Sequence, residues 1–379
     1  MDDYLVGTGR CYTCGDDPDI PNHAYVVSGR VCGDVQLGPP GEAPVLARIA
    51  GYWPAQVTRI GDVNNDGFAD VRVGVSIYFG PTKGDLVLED RDLALVEFGP
   101  KWTARYDLLD VGDLNGDGIG DLALGEDAAR VPDSPPTWLD GPGRVAIWFG
   151  PIEDDLRASE ADVLLVGTTP QEGFGHAFAA GDFDGDGDQD LVVGSLRSGQ
   201  LTWFPGPFKP GVRFAADQLH RADSEGSTPH MMVAGSGPGP DSLYIADAPG
   251  WRSDVGGVAD GLQRVVRLSG LPNDDEWPVV AQWTAERTEA ALGLMGDTLF
   301  VHQSPQMSDN PYLVRLVALD GGTLEETARI DEEPREQQIN GLPLSSGLGS
   351  TIDATDSALI AGAPDGGHEP LFGAAYVIR

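Results

Sequence analysis

The sequence predicts an all-β fold made of short strands in repeated units, and three observations support this class. The chain of 379 residues contains 52 Gly and 29 Pro but few stretches with helical periodicity. Its aliphatic and aromatic residues occur in short runs, such as residues 145–149, which is typical of strands separated by turns. A nine-residue acidic loop also occurs three times, and each copy leads directly into an apolar run.

The three acidic loops begin at Asp62, Asp113 and Asp182 and share one spacing. Acidic or amide residues occupy positions 1, 3, 5 and 9, and a glycine stands at position 6. A sharp turn at this glycine would direct the four side chains and the carbonyl of position 7 toward one point. The predicted ligands are Asp62, Asn64, Asp66, Phe68 and Asp70, then Asp113, Asn115, Asp117, Ile119 and Asp121, and finally Asp182, Asp184, Asp186, Asp188 and Asp190.

Oxygen ligands in this number suit a hard cation, and Ca²⁺ is favoured over Mg²⁺. The start of each loop resembles an EF-hand loop, but position 12 is Val73, Leu124 or Val193 in place of the Glu that an EF-hand requires. The apolar runs there predict loops that join two strands. Polar hairpin turns without an ion are the alternative. Because the four acidic or amide groups within each loop would repel one another without a cation, and the same spacing occurs in three loops, we predict about three Ca²⁺ sites.

A unit of four strands can be traced around each loop. A first strand leads into the loop, a second strand ends in Gly, and third and fourth strands follow. We predict third strands at residues 94–100, 145–151 and 201–207, and a fourth strand at residues 161–167. Pairs of second and third strands without acidic loops are predicted at residues 4–8 and 23–27, 241–250 and 263–268, 297–302 and 312–317, and 357–364 and 373–378.

These seven strand pairs predict a β-propeller, in which four-stranded blades repeat around a central axis. We predict one domain, residues 1–379, with seven blades of four antiparallel strands. The first unit enters at its second strand and the last ends without an outer strand, so both are expected to be incomplete. Six blades with an irregular extra hairpin is the alternative. The approximate units are residues 1–50, 51–103, 104–167, 168–225, 226–285, 286–340 and 341–379.

Residues 173–194, which run from Gly-Phe-Gly-His through the third acidic loop into Leu-Val-Val-Gly, resemble an FG-GAP repeat. This repeat is the unit of the N-terminal propeller of integrin α-subunits and of its bacterial relatives. Residues 347–350 and 361–364 are similar to the Gly-x-Ala-Pro half of the same pattern. The resemblance is specific in the units with acidic loops and weaker in the last three. It implies seven blades, calcium between the first and second strands of a blade, and partners bound by other loops.

Composition and termini limit the classes of partner. The formal net charge of −36 would repel a nucleic-acid backbone or an anionic membrane surface. No apolar stretch approaches the length of a membrane span, and the first residues do not form a signal peptide. We therefore expect a fragment that lacks N-terminal residues, including a leader.

The three cysteines, Cys11, Cys14 and Cys32, lie in the first tenth of the chain. A Cys-x-x-Cys pair without a second pair or a nearby His is weak evidence for zinc, so a local disulfide with one leftover thiol is favoured. A disulfide and calcium loops both suit an extracellular or cell-surface location.

No catalytic constellation can be found among the six histidines and the serines. His176 is expected to be a hydrogen-bonded core residue, and Trp148 and Trp203 are expected to pack between blades. The long loops at residues 126–143 and 248–261, which contain Trp138 and Trp251, are the candidate contact surface. We predict an adhesion or protein-interaction module with structural calcium, which is not an enzyme and binds a protein or glycan. A lectin-like propeller is the alternative, and a polysaccharide-degrading enzyme is less favoured.

Overall fold

A computed structural model describes most of the chain. The described residues are 3–7, 22–30, 45–51, 57–96, 106–127, 141–215, 219–221, 227–236, 240–249, 251–252, 257–258, 262–270, 277–286, 292–303, 315–331, 338–339, 342–343, 351–355, 358–363 and 374–378. They form 33 β-strands and two 3₁₀ turns and contain no α-helix. The all-β class is confirmed. Within these ranges no helix has the length and apolar character needed to cross a membrane.

The strands form seven successive sheets, numbered here in chain order. Sheet 1 contains β1 (Tyr4–Gly7), β2 (Asn22–Val27), β3 (Val45–Gly51) and β7 (Gly84–Leu86). Sheet 2 contains β4 (Val57–Arg59), β5 (Val71–Val73), β6 (Ser76–Tyr78), β8 (Leu93–Val96) and β12 (Leu156–Arg157). Sheet 3 contains β9 (Tyr106–Asp110), β10 (Leu122–Glu126), β11 (Arg144–Trp148), β13 (Val163–Val166) and β17 (Gly211–Phe214).

The remaining sheets follow the same order. Sheet 4 contains β14 (Phe174–Gly181), β15 (Asp190–Ser195), β16 (Leu201–Phe204) and β18 (Leu219–Arg221). Sheet 5 contains β19 (Ser227–Gly235), β20 (Ser242–Pro249), β23 (Leu262–Ser269) and β24 (Val279–Glu286). Sheet 6 contains β25 (Leu292–Met295), β26 (Thr298–Gln303), β27 (Arg315–Asp320) and β28 (Glu326–Asp331), and sheet 7 contains β31 (Thr351–Thr355), β32 (Ala358–Ala363) and β33 (Ala374–Ile378).

Four short elements complete the described structure. Two hairpins form between sheets, one from β21 (Trp251–Arg252) and β22 (Gly257–Val258) and one from β29 (Gln338–Ile339) and β30 (Leu342–Pro343). The two 3₁₀ turns are Leu88–Asp90 and Ala158–Glu160.

Successive sheets pack face to face, from sheet 1 to sheet 6. Each of five apolar clusters combines buried residues of two neighbouring sheets. Strand β10 shows how alternation produces this layering, because Leu122 and Leu124 face sheet 2 while Ala123 faces sheet 4. A strand buried on both faces gives a continuous apolar run, which is why these strands were recognisable in the sequence.

The first four sheets are joined by short strands that the sequence did not reveal. Strands β7, β12 and β17 lie between the third and fourth strands of their own unit but pair in parallel with β3, β8 and β13 of the preceding sheet. Since β8 and β13 are fourth strands, β3 is a fourth strand too. Strand β1 then holds the second position, as the sequence predicted for the first unit.

One predicted strand assignment is wrong. Residues 94–100 were predicted to be a third strand, but β8 is the fourth strand of sheet 2, and β6 is the third. Strands β5 and β6 are three residues each and are joined by the tight turn at Gly74 and Val75, so they do not form two separate apolar runs.

The predicted four-strand blades are only partly matched. Sheets 2 and 3 each have five described strands, sheet 7 has three, and the described strands do not close the sheets into a ring. The seven-blade count and the unit boundaries therefore remain predictions.

Candidate metal centres

Each acidic loop joins the first and second strands of one sheet. Loop 1 (residues 62–70) joins β4 to β5, loop 2 (residues 113–121) joins β9 to β10, and loop 3 (residues 182–190) joins β14 to β15. This is the predicted placement. The glycines at position 6, Gly67, Gly118 and Gly187, have φ angles of 92°, 90° and 96°. Glycine is required there because other residues rarely adopt this conformation.

Side-chain oxygens at positions 1, 3 and 5 accept hydrogen bonds from backbone amides of the same loop. The carboxylate at position 1 accepts the amide of the glycine at position 6, at 2.8, 2.7 and 3.1 Å in loops 1, 2 and 3. The side-chain oxygen at position 3 accepts the amide of position 5, at 3.1, 2.8 and 3.0 Å. The carboxylate at position 5 accepts the amide of position 7, at 2.9 Å in every loop. The three loops therefore share one conformation.

The aspartates at position 9, Asp70, Asp121 and Asp190, are completely buried. One carboxylate oxygen of each accepts the amide of loop position 2, at 3.0, 2.8 and 3.0 Å. The other accepts a glycine amide at the end of the third strand, from Gly80, Gly150 and Gly206, at 2.8, 2.9 and 2.9 Å. Position 9 is thus the anchor that ties each loop to its sheet.

Electrostatics at position 9 favour a bound cation. Burial raises the pKa of Asp70 and Asp121 to about 6, although the two amide hydrogen bonds oppose this, and the carboxylates at positions 5 and 1 raise it further. Burial also raises the pKa of Asp190. A buried carboxylate next to other carboxylates is costly when ionised, and a divalent cation would remove that cost.

The donor set of loop 3 fits a calcium ion. Asp182, Asp184 and Asp190 each place one carboxylate oxygen within 4.8 Å of the others. Oxygens around Ca²⁺ lie about 2.3 to 2.6 Å from the ion, so pairs of ligands on opposite sides are separated by about this distance. Among the described residues, this is the one acidic cluster with metal-binding spacing.

Loops 1 and 2 differ from loop 3 at position 3, where they have Asn. The Asn64 amide nitrogen donates to Asp66 at 3.1 Å, and the Asn115 amide nitrogen donates to Asp117 at 2.9 Å. The predicted ligand atom at position 3 is therefore an amide oxygen in loops 1 and 2 and a carboxylate oxygen in loop 3. The remaining predicted ligands are the carbonyls of Phe68, Ile119 and Asp188 at position 7, whose amides follow the same pattern in all three loops.

Sequence reasoning missed Gly80, Gly150 and Gly206. A Cβ atom at Gly150 would lie 2.5 Å from both the Gly120 carbonyl oxygen and Ile119 Cγ2. Equivalent Cβ atoms at Gly80 and Gly206 would lie 2.5 Å from the carbonyl oxygens of Ala69 and Gln189. These glycines allow the end of the third strand to approach the loop. The available signal was the Gly-Pro dipeptide that follows the third strands of sheets 2, 3 and 4, at residues 80–81, 150–151 and 206–207.

Several other expectations can be compared with the structure. His176 is buried and its Nδ1 lies 2.9 Å from Asp127 Oδ2, so it is a hydrogen-bonded core residue as predicted. Trp148 and Trp203 are buried in the clusters between sheets, which confirms their packing role. Cys11, Cys14, Cys32, Trp138 and most of the two predicted contact loops lie outside the described residues.

Comparison with known proteins gives matches over parts of the chain. The family model described as FG-GAP repeat matches residues 174–202, which include loop 3. Integrin alpha-PS2 of Drosophila melanogaster is 29% identical over 183 residues, which are 42% of this chain and 12% of that protein. Phosphatidylinositol-glycan-specific phospholipase D of Rattus norvegicus is 42% identical over 99 residues, which are 24% of this chain and 11% of that protein. The chain thus spans about an eighth of the length of these relatives.

Two solved structures are similar at low sequence identity. The Dos1 propeller has 10% identity and a TM-score of 0.38, with coverage of 68% of this chain and 52% of that one. BBS1N, in a complex with ARL6DN, has 14% identity and a TM-score of 0.42, with coverage of 85% and 81%. These scores are too low to support an argument from either structure.

Proposed function

We propose that this chain, of which residues 174–202 match the FG-GAP repeat and part is similar to an integrin α-subunit, is an extracellular, calcium-stabilised β-propeller that serves as an adhesion or protein-interaction module. The observation that carries the calcium part of the proposal is the shared geometry of the three loops. Each has a buried aspartate at position 9 and side-chain oxygens at positions 1, 3 and 5 that accept amides of the same loop. The fifteen residues predicted as ligands are the proposed sites.

The proposed role of calcium is structural. An ion that binds the folded loop and not the unfolded chain stabilises the fold by mass action, by about 2.7 kcal/mol for each site at a concentration one hundred times Kd. It also neutralises the buried carboxylates at position 9. Calcium would therefore stabilise the connections between the first and second strands of sheets 2, 3 and 4.

The proposed architecture is a seven-bladed ring. Support comes from seven successive sheets and from face-to-face packing of the first six. Radial repetition of this kind protects the edges of the sheets. The seven blades correspond to the seven predicted units.

The proposed binding surface lies at the end of the sheets opposite the calcium loops. The loops at residues 126–143 and 248–261 follow second strands, whereas the calcium loops precede them, so the two sets belong to opposite ends. Variable loops on a rigid scaffold commonly bind partners. We therefore propose that calcium stabilises the scaffold and that the opposite face binds the partner, which is a protein or a glycan.

The rival functions have less support. Trp148, Trp203 and Trp277 are buried, so these three do not offer a sugar-stacking surface. The similarity to a phospholipase D spans 11% of that enzyme, so its activity is not assigned to this chain. A non-enzymatic role is the proposal.

Calorimetric titration with CaCl₂ tests the proposed sites. Asp66, Asp117 and Asp186 stand at position 5, are exposed, and can be replaced by Ala one at a time. Each replacement is expected to lower a stoichiometry of about three by one, since each removes a ligand from one loop. Glu325→Ala, an exposed acidic residue in the turn between β27 and β28, is the matched control and should leave the stoichiometry unchanged. Absence of calcium binding to the unmodified chain would overturn the proposal.

A further inference from the structure

The Gly-Pro turns that hold the position-9 aspartates also contact the loop of the preceding sheet. The residues after the prolines are Ile152 in sheet 3 and Phe208 in sheet 4. The Ile152 amide donates to the Val63 carbonyl of loop 1 at 2.7 Å, and the Phe208 amide donates to the Leu114 carbonyl of loop 2 at 2.7 Å. The same geometry therefore occurs twice.

Each turn connects two loops through a short path of hydrogen bonds. In sheet 3, Gly150 donates to Asp121 of loop 2, and two residues later Ile152 donates to Val63 of loop 1. Val63 in turn donates its own amide to Asp70, at 3.0 Å. The aspartates at position 9 of loops 1 and 2 are thus linked by one Gly-Pro-Ile turn and one loop residue.

The second bridge repeats the first between loops 2 and 3. Gly206 donates to Asp190 of loop 3, Phe208 donates to Leu114 of loop 2, and Leu114 donates to Asp121 at 2.8 Å. Loop 2 therefore takes part in both bridges, whereas loops 1 and 3 do not contact each other through either of them.

The residues that form the bridges are buried. Ile152 and Val63 are buried in the same apolar cluster, and Phe208 and Leu114 are buried in the next one. Each bridged carbonyl belongs to the peptide unit that precedes the ligand at position 3, which is Asn64 in loop 1 and Asn115 in loop 2. A shift of the turn would therefore reorient a proposed calcium ligand in the neighbouring sheet.

From this geometry we propose that each of the two Gly-Pro-x turns, residues 150–152 and residues 206–208, positions ligands of two neighbouring calcium sites. Calcium binding is then coupled between adjacent loops. Calcium in loop 2 fixes Asp121 and, through Gly150 and Ile152, the peptide that orients Asn64 in loop 1. Calcium in loop 3 acts on loop 2 in the same way through Gly206 and Phe208. The coupling rests on the proposed calcium function.

The test compares calcium affinities in variants that retain chosen loops. Asp186→Ala leaves loops 1 and 2, and Asp117→Ala with Asp186→Ala leaves loop 1 alone. Coupling energies between sites typically correspond to a factor of five or more, so loop 1 alone is expected to bind calcium at least about fivefold more weakly than it does beside loop 2. The matched control is Asp117→Ala, which retains loops 1 and 3. The calcium affinity of loop 1 in this variant should equal its affinity in the double variant, where loop 1 is alone.

Amide hydrogen exchange on the same variants gives a readout independent of affinity. Without calcium in loop 2, the amides of Ile152 and Phe208 are both expected to exchange faster, because loop 2 takes part in both bridges. Without calcium in loop 3 alone, only the amide of Phe208 is expected to exchange faster. If the calcium affinity of each remaining loop is the same in every variant, the sites are independent. That result would overturn the coupling and leave the calcium sites intact. No calcium binding in any variant would instead overturn the proposed function on which the coupling rests.

Discussion

At the scale of single residues, the aspartate at position 9 decides how each loop is held. Asp70, Asp121 and Asp190 are fully buried, and each accepts one amide from its loop and one from the glycine after the third strand. The burial raises their pKa values and makes the ionised form costly. The same residues thus fix the loop and carry a buried negative charge that a bound cation would neutralise.

Replacement of Gly150 by Ala is expected to destabilise the protein. The new Cβ would lie 2.5 Å from the Gly120 carbonyl oxygen and Ile119 Cγ2, and overpacking of this kind costs about 1 to 3 kcal/mol. Denaturant unfolding in the presence of calcium measures the loss. Gly120→Ala in loop 2 is the control, because its Cβ would meet Asp110 at an ordinary 3.7 Å. Equal effects of the two substitutions would contradict the close approach of the strand end to the loop.

The effect of calcium is expected to depend on pH. The pKa of Asp70 and Asp121 is raised to about 6, above the ordinary value of 3.8, so the folded state binds protons more tightly than the unfolded state. Without calcium, these groups therefore add stability below pH 4 that is lost as the pH rises through about 6. Protons compete with calcium for the same carboxylates, so the rise in Tm caused by calcium should be much smaller at pH 5 than at pH 7. An equal rise at both pH values would contradict this reading of position 9.

At the scale of elements, the short parallel strands connect neighbouring sheets. Strand β12 follows the third strand of sheet 3 but pairs with β8 of sheet 2, and its Leu156 is buried in the cluster between these sheets. Strand β17 connects sheets 4 and 3 in the same way, but its Val212 is exposed. Burial at these strands therefore differs from one sheet to the next.

Replacement of Leu156 by Ala should cost about 2 to 5 kcal/mol, the usual loss for a buried leucine. Val212→Ala, at 56% exposure, is the control in the equivalent strand and should cost much less. Equilibrium unfolding in urea compares the two variants. Similar losses would mean that the side chain of Leu156 does not contribute to the packing between sheets 2 and 3.

The sequence predicted the elements whose signals are local and repeated. The spacing of the acidic loops is a property of nine consecutive residues, and the second and third strands are apolar runs, so both could be recognised. Strands β5 and β6 could not be separated because each has three residues, and β12 has only two. Partners that are distant in sequence, such as Ile152 and Val63, leave no local pattern. The recurring Gly-Pro dipeptide was visible, but its role depends on the approach of the strand end to the loop.

At the scale of the whole molecule, the seven sheets differ in how they are held together. Sheets 2, 3 and 4 contain the acidic loops and are linked by the hydrogen-bonded turns at Ile152 and Phe208. Sheets 5 and 6 lack acidic loops and pack through apolar clusters. Calcium should therefore act on one part of the chain.

Amide hydrogen exchange of the intact chain, with calcium and with chelator, tests the central claim most directly because it shows where the ion acts. We predict that calcium slows exchange in loops 1, 2 and 3 and in the strands of sheets 2, 3 and 4. Exchange in β26 and β27 of sheet 6 should change little. Equal exchange with and without calcium throughout sheets 2, 3 and 4 would contradict the account.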